Sequence, residues 1–239
     1  EIYTLSLHDA LPISVSEELR GKYICVSNVH TTVTAYENRN YRRVQNGAAM
    51  VFPDGGPLSI VCRLRGYKNA SRVTGPDFMG EIFKEKGVRQ FFYGSTPETL
   101  DKLRGILEKE HPDIQICGMY SPPFRTLSHE EDEEIVDMIN AAKPDIVWIG
   151  LGAPKQENWM AKHEGRINAV MVGVGAGFDY FAGNIKRAPM IMQKLSLEWL
   201  YRLVQEPKRL YKRYFSTNTV FLIANYRLWK QYRKIKKRR

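Results

Sequence analysis

The amino-acid sequence predicts an α/β fold: an open, mostly parallel sheet with helices on both faces, followed by a basic helical appendage at the C-terminus. Three observations predict it. Short apolar runs alternate with longer polar stretches at the spacing of β-α-β units. Runs such as Ile146-Val-Trp-Ile149 are apolar throughout, as in strands buried on both faces. Polar, glycine-containing turns recur where these runs end, and open α/β sheets bind their ligands at that edge. The expected sheet is therefore Rossmann-like.

The elements follow in order. Residues 23–27 read as the first strand, and a helical stretch covers 31–44. Residues 48–52 form a second strand that ends at Pro53-Asp54-Gly55-Gly56, and 58–64 are helical. Gly75-Pro76-Asp77 introduces a helix reaching about residue 86. A strand over 89–93 precedes a helix that starts around Pro97 and Glu98 and runs to about residue 108. A strand over 114–119 precedes the Ser128-His-Glu-Glu131 capping box, whose helix continues to residue 142. The acidic run over 130–134 lies on that helix and reads as a solvated face. The strand over 145–150 meets two glycines, and a helix follows with Pro154, Lys155, Gln156 and Glu157 in its first turn. A last strand over 168–174 leads into Gly175-Ala-Gly177-Phe-Asp179, and from residue 198 the pattern is helical, aromatic and basic.

Three segments are expected: 1–14, an α/β domain over 15–197 and the appendage over 198–239. Thr4 to Ile13 resembles the in-frame translation of a sequencing adapter. The authentic chain is therefore expected to begin near Val15, with an opening strand and helix missing ahead of it. It does not read as a signal peptide, because it has no basic start and His8 and Asp9 interrupt its apolar part.

The net charge of +10 is concentrated in the tail. Residues 205–239 hold twelve Lys and Arg against the single acid Glu206, leaving the rest of the chain near neutral. Charge so localised speaks of an anionic partner, either a membrane surface or nucleic acid. No apolar run approaches the roughly 20 residues that span a bilayer. Cys25, Cys62 and Cys117 are scattered without metal spacing, which fits reduced thiols and no metal site. There is no P-loop, no nucleophile elbow and no D-x-D pair; Asp113-Ile-Gln115 has Gln where a second carboxylate would stand.

Candidate site residues collect at the strand ends. The turn holding Gly152, Lys155 and Gln156 presents a helix N-terminus, which favours an anion; an ordinary strand–helix turn is the structural alternative. Asp54 suits a general base at the rim, or a turn aspartate bonding its own backbone. Arg72 could clamp a phosphate or lie idle at the surface. Gly173, Gly175 and Gly177 suggest close approach of backbone to a ligand, but not a dinucleotide fingerprint, with Asp179 and Arg187 following.

Seven motifs occur in order: Asn28; Phe52-Pro-Asp-Gly55; Arg72-Val-Thr-Gly75; Gly150-Leu-Gly-Ala-Pro-Lys-Gln-Glu157; Gly175-Ala-Gly-Phe-Asp179; Gly183-Asn-Ile-Lys-Arg-Ala-Pro189; and Leu197-Glu-Trp-Leu-Tyr-Arg202. Together they resemble the WecG/TagA/CpsF family of bacterial glycosyltransferases over roughly residues 23–213. The resemblance implies an inverting, metal-independent enzyme without a cofactor. It would move N-acetylmannosamine or a related sugar from a UDP donor to undecaprenyl-diphosphate-linked N-acetylglucosamine, for teichoic acid, common antigen or capsule. It implies Asp54 as the base, Asn28 as a sugar-orienting residue, and Gln156 as a sugar or uridine contact. Arg72 matches another family position, and Arg202, Arg209 and Arg213 would approach the diphosphate. Where some members have Thr-Pro-Asn, this chain has Val26-Ser27-Asn28, so a threonine contact is absent and the donor sugar stays open.

The tail's apolar and aromatic stripe, from Val220 through Tyr226 and Trp229 to Tyr232, ends in Lys and Arg. It fits a helix lying on an anionic membrane surface, peripheral on the cytoplasmic face, and a helix packed on the domain is the alternative. A nucleic-acid partner would leave the strand-end motifs unexplained and is not expected. The rival enzyme class is a sugar-nucleotide hydrolase or epimerase, and a homo-oligomer stays open.

Overall fold

A computed structural model of the protein describes residues 16–68 and 70–236. The expectation for residues 1–14 lies outside the described residues. The six expected strands form: β1 (Tyr23–Ser27), β2 (Met50–Pro53), β3 (Arg89–Gly94), β4 (Gln115–Tyr120), β5 (Ile146–Gly150) and β6 (Val170–Gly173). They make one sheet in the order β2-β1-β6-β5-β3-β4, parallel at every pairing.

Alternate residues of each strand serve opposite cores. Ile24, Val26, Phe52, Phe92 and Trp148 face one side, packed with Phe78, Leu103 and Phe178. Tyr23, Cys25, Phe91, Val147 and Met171 face the other, packed with Ile135, Ile139 and Met160. The fully buried Trp148 indole donates to Gln90 Oε1 at 2.9 Å, which satisfies a polar atom in the middle of the sheet.

Helices fill the crossovers. In chain order they are α1 (Val29–Glu37), α2 (Arg39–Gly47), α3 (Gly56–Leu64), α4 (Gly75–Ile82), α5 (Pro97–Glu110) and α6 (His129–Ala141). After them come α7 (Lys155–Lys162), α8 (Gly177–Phe181), α9 (Met190–Lys194), α10 (Glu198–Gln205) and α11 (Pro207–Lys236). The Ser128 capping box forms as expected and starts α6.

Four local expectations are corrected. The helix over 31–44 is two helices, because Asn38 accepts from the backbone N–H of Asn40 and Tyr41 and so caps a new start. The helix expected to residue 86 ends at Ile82, where the chain tightens into short turns before Gly87, at φ +82. Pro154 does not open the first turn of α7: it stands at the N-cap, after a cis Ala153–Pro154 bond. The acidic run is not all solvated, since Asp132 is buried with Ile135, Val136 and Ile139 on the inner face of α6.

The C-terminal helices dock on the α/β unit. Buried Leu210, Thr217 and Phe221 seat α11, which packs along α1. Phe215, Leu222, Ile223, Tyr226 and Trp229 stay exposed on the same helix. Among the described residues, no helix is long and apolar enough to cross a membrane.

Candidate active site

The site is built around the turn after β2. Parallel register sets Ser27 beside Pro53, so Asn28 and Asp54 leave the sheet as neighbours. Asp54 N–H donates to Ser27 C=O at 2.7 Å, and Val73 N–H donates to Pro53 C=O at 3.0 Å. The segment carrying Arg72 is thereby laid against the turn. The Asp54 carboxylate takes no hydrogen bond from any described residue, so the self-bonded turn aspartate does not form. Burial pushes this carboxyl up to about 7; Glu198 adds to the rise, Arg72 opposes it, and Asp77 and Arg202 act more weakly in the two directions. A carboxyl poised there is matched to proton transfer near neutral pH.

Arg72 does not lie idle. Its guanidinium donates to Glu198 of α10, to Asp77 Oδ2 at 3.3 Å and to Gln193 Oε1 at 3.4 Å. Asp77 is held by Thr74, whose hydroxyl donates to it at 2.7 Å, and by Arg187, which pairs with its other oxygen. The link between α9 and α10 rests on the same turn: a Cβ added at Gly56 would overlap the Ser196 side chain.

The appendage contributes further arginines. Arg202 lies 5.5 Å over the Tyr180 ring and donates to Glu206 at 3.2 Å. Arg209 pairs with the other Glu206 oxygen at 2.6 Å. Arg213 lies over Tyr214 at 6.0 Å. Burial weakens the hold of Arg213 on its proton, and Arg202 and Arg209 add to that, against Tyr214. Buried Nε atoms of both Arg202 and Arg213 have no hydrogen-bond partner among the described residues. Three guanidinium groups against one glutamate, with two enclosed donors unused, suit an anion with several oxygens. His30, whose buried Nδ1 also lacks a hydrogen-bond partner among the described residues, has its pKa lowered by burial and by Arg213.

Other sequence-predicted residues do different work. Asn28 caps α1, its side-chain oxygen accepting from Thr31 N–H at 3.2 Å. Gln156 is buried and spent: it donates to Glu157 at 2.9 Å and accepts from Gly175 N–H at 3.0 Å, which ties the end of β6 to α7. Lys155 is exposed, and Gly152 sits at φ +75 in open space. Asp179 accepts from Asn184, which also reaches Thr99 of α5, so it braces the loop after α8. Gly173 and Gly177 make room for protein and not for a ligand: a Cβ would meet Met160 and Gln156 at the first, and Met79 and Val174 at the second.

The structure thus brings Asp54, Arg72, Arg187 and Arg202 together, with Arg209 and Arg213 adjoining. Asp77, Glu198, Tyr180 and Tyr214 were not singled out from sequence. Glu198 lay inside a quoted motif and Asp77 in the Gly75-Pro76-Asp77 helix start that adjoins another, which was the available signal. Two surface hollows of about 260 Å³ lie along β4, at the opposite edge of the sheet, and contain none of these residues. Among the described residues, no three His, Cys, Asp or Glu side chains gather as a metal-holding group.

A family model for glycosyl transferases of the WecG/TagA/CpsF family matches residues 2–238. An N-acetylglucosaminyldiphosphoundecaprenol N-acetyl-beta-D-mannosaminyltransferase of Bacillus spizizenii is 33% identical over 197 residues, covering 81% of this chain and 75% of that one. The protein of the same name from Bacillus subtilis is 34% identical over 196 residues, with 79% and 73% covered. That of Staphylococcus aureus strain MW2 is 32% identical over 227 residues, with 93% and 85% covered. With its motifs carried on a parallel sheet and its matches spanning most of its length, the chain belongs to the WecG/TagA/CpsF family of glycosyltransferases.

Proposed function

We propose that this chain transfers N-acetylmannosamine from a UDP donor to undecaprenyl-diphosphate-linked N-acetylglucosamine, inverting the anomeric centre and using no metal ion. The observation that carries this reading is the unbonded Asp54 carboxyl, raised to about 7, beside an arginine group with unused donors. The acceptor hydroxyl attacks the anomeric carbon from the face opposite UDP. Asp54 takes its proton as the new C–O bond forms and the bond to UDP breaks. The charge left on the departing diphosphate is stabilised by Arg202 and Arg213, with Arg209 at the edge; fixed guanidinium groups at a developing anion lower the barrier without a metal. Support for the acceptor comes from the relatives' names, which specify a lipid-diphosphate sugar.

The exposed Phe215, Leu222, Ile223 and Trp229 and the basic end of α11 support attachment to an anionic membrane surface, where such an acceptor resides. Asn28 stands beside Asp54 at the rim and orients a sugar there. Gln156 acts one step back, by holding Gly175 and so the loop after β6.

The test is incubation with UDP-N-acetylmannosamine and a short-chain diphosphate-linked N-acetylglucosamine lipid, in EDTA, beside Asp54→Ala. The expected result is disaccharide-lipid from the parent and near-total loss in the variant. Free sugar or an isomerised nucleotide without transfer, across a panel of UDP-sugars, would make the protein a hydrolase or epimerase instead.

A further inference from the structure

Arg72 differs from the arginines of α10 and α11 in donating to three different side chains. Of its three partners, Glu198 comes from the C-terminal appendage and Gln193 from α9, just ahead of it. Its third, Asp77, is already shared with Arg187 and Thr74. Half-buried ion pairs of this kind add little to stability, so their placement asks for another reason. Glu198 stands at the start of α10, directly after the Ser196 link that rests on Gly56, two residues from Asp54.

We propose that Glu198 is a positioning residue for the reaction at Asp54: it fixes the Arg72 guanidinium and lays a second carboxylate beside the catalytic turn. The inference rests on the reading of Asp54 as the base. Asp54 is faced by Arg72, by Asp77 of α4, by Tyr180 of α8, by Glu198 and Arg202 of α10, and by Tyr214 of α11. With Glu198 in place, two acids offset two arginines around Asp54. Without it the arginines prevail, and the carboxylate becomes a weaker proton acceptor. Arg72, released, would then be free to form a direct pair with Asp54 and consume its lone pairs. Seating α10 therefore does two things at once: it delivers Arg202 and it keeps the base basic. An α/β unit whose C-terminal helices are displaced has neither.

The experiment is a titration of the whole chain labelled with ¹³C at aspartate carboxyls, with the Asp54 signal assigned by its loss in Asp54→Asn. The parent midpoint is expected near 7. In Glu198→Gln it should fall by about one pH unit, with the acidic limb of kcat/KM moving the same way and the plateau kcat falling about tenfold. Glu198→Asp keeps the charge but withdraws it by one methylene, and should give an intermediate midpoint. That variant decides the matter alone if Glu198→Gln does not fold. A midpoint unmoved by either substitution would overturn the proposal. Transfer retained in Asp54→Ala would instead overturn the base assignment and leave the titration result standing, so the two failures are distinguishable.

Discussion

Asp54 is half-buried and Asp132 buried, and the two carboxylates meet opposite fates. Asp132 is met by Lys162 Nζ at 2.9 Å, His163 Nε2 at 3.1 Å and Arg166 Nη1 at 3.2 Å. Burial pulls its carboxyl up, but Lys162, His163 and Arg166 outweigh that and hold it below the usual carboxylate range. Asp54 receives no hydrogen bond from a described residue, and it rises to about 7. The same functional group becomes a strut where its charge is answered and is poised for proton transfer near neutral pH where it is not.

The contrast can be broken most severely at Asp54. Asp54→Ala should lower transfer by about 10²–10⁴-fold while leaving the circular dichroism spectrum intact. A comparable loss from Asp132→Ala in folded protein would erase the distinction. Asp132→Ala should instead cost about 2–3 kcal/mol in urea unfolding, because it strands buried His163 and the flanking cations, with transfer per folded molecule within twofold of the parent. The arginines extend the comparison: Arg72 is answered, whereas Arg213 has a donor to spare. Arg213→Ala should raise the acceptor or donor KM about tenfold and weaken the salt dependence of binding, read from initial rates at two ionic strengths.

A further effect is on stability against pH, and its sign separates the two aspartates. Because Asp54 is raised in the fold, the native state holds a proton that the unfolded chain gives up. The parent should therefore lose stability as pH climbs from about 4 to 7, with the full penalty above that. Asp54→Asn escapes this loss, so its advantage in Tm should grow over that window and then level. Asp132 is lowered, so its contribution is present above the ordinary carboxylate range and disappears as pH falls through the folded value. Asp132→Asn should accordingly flatten the acid edge of the stability curve below about pH 4.

The sheet was legible because strands buried on both faces read as near-continuous apolar runs, with Ile146 to Ile149 the clearest. The break at Asn38 was not, since the polar run from Glu37 to Asn40 suits an exposed helix face as well as a junction. Asp132 carried a signal that was passed over. It stands at i relative to Ile135, Val136 and Ile139, on the apolar stripe and not on the acidic face. In the site, Asp54 and Arg202 were marked by their motifs. The pairing of Arg72 with Glu198 spans 126 positions of chain and depends on how α10 docks, which no local pattern encodes. Gln156 was visible as a conspicuous polar residue, but only the fold shows that both ends of its amide are occupied.

The bare backbone of Gly56 has a practical consequence. Ser196 occupies the space that any larger residue there would need, so Gly56→Ala acts as a wedge between the Asp54 turn and the C-terminal helices. It alters no charge and removes no ligand, yet it should prise Glu198 and Arg202 away in one stroke. One added methyl group would thus serve as a tool for uncoupling the two halves of the molecule, giving a sheet that folds and a machine that idles.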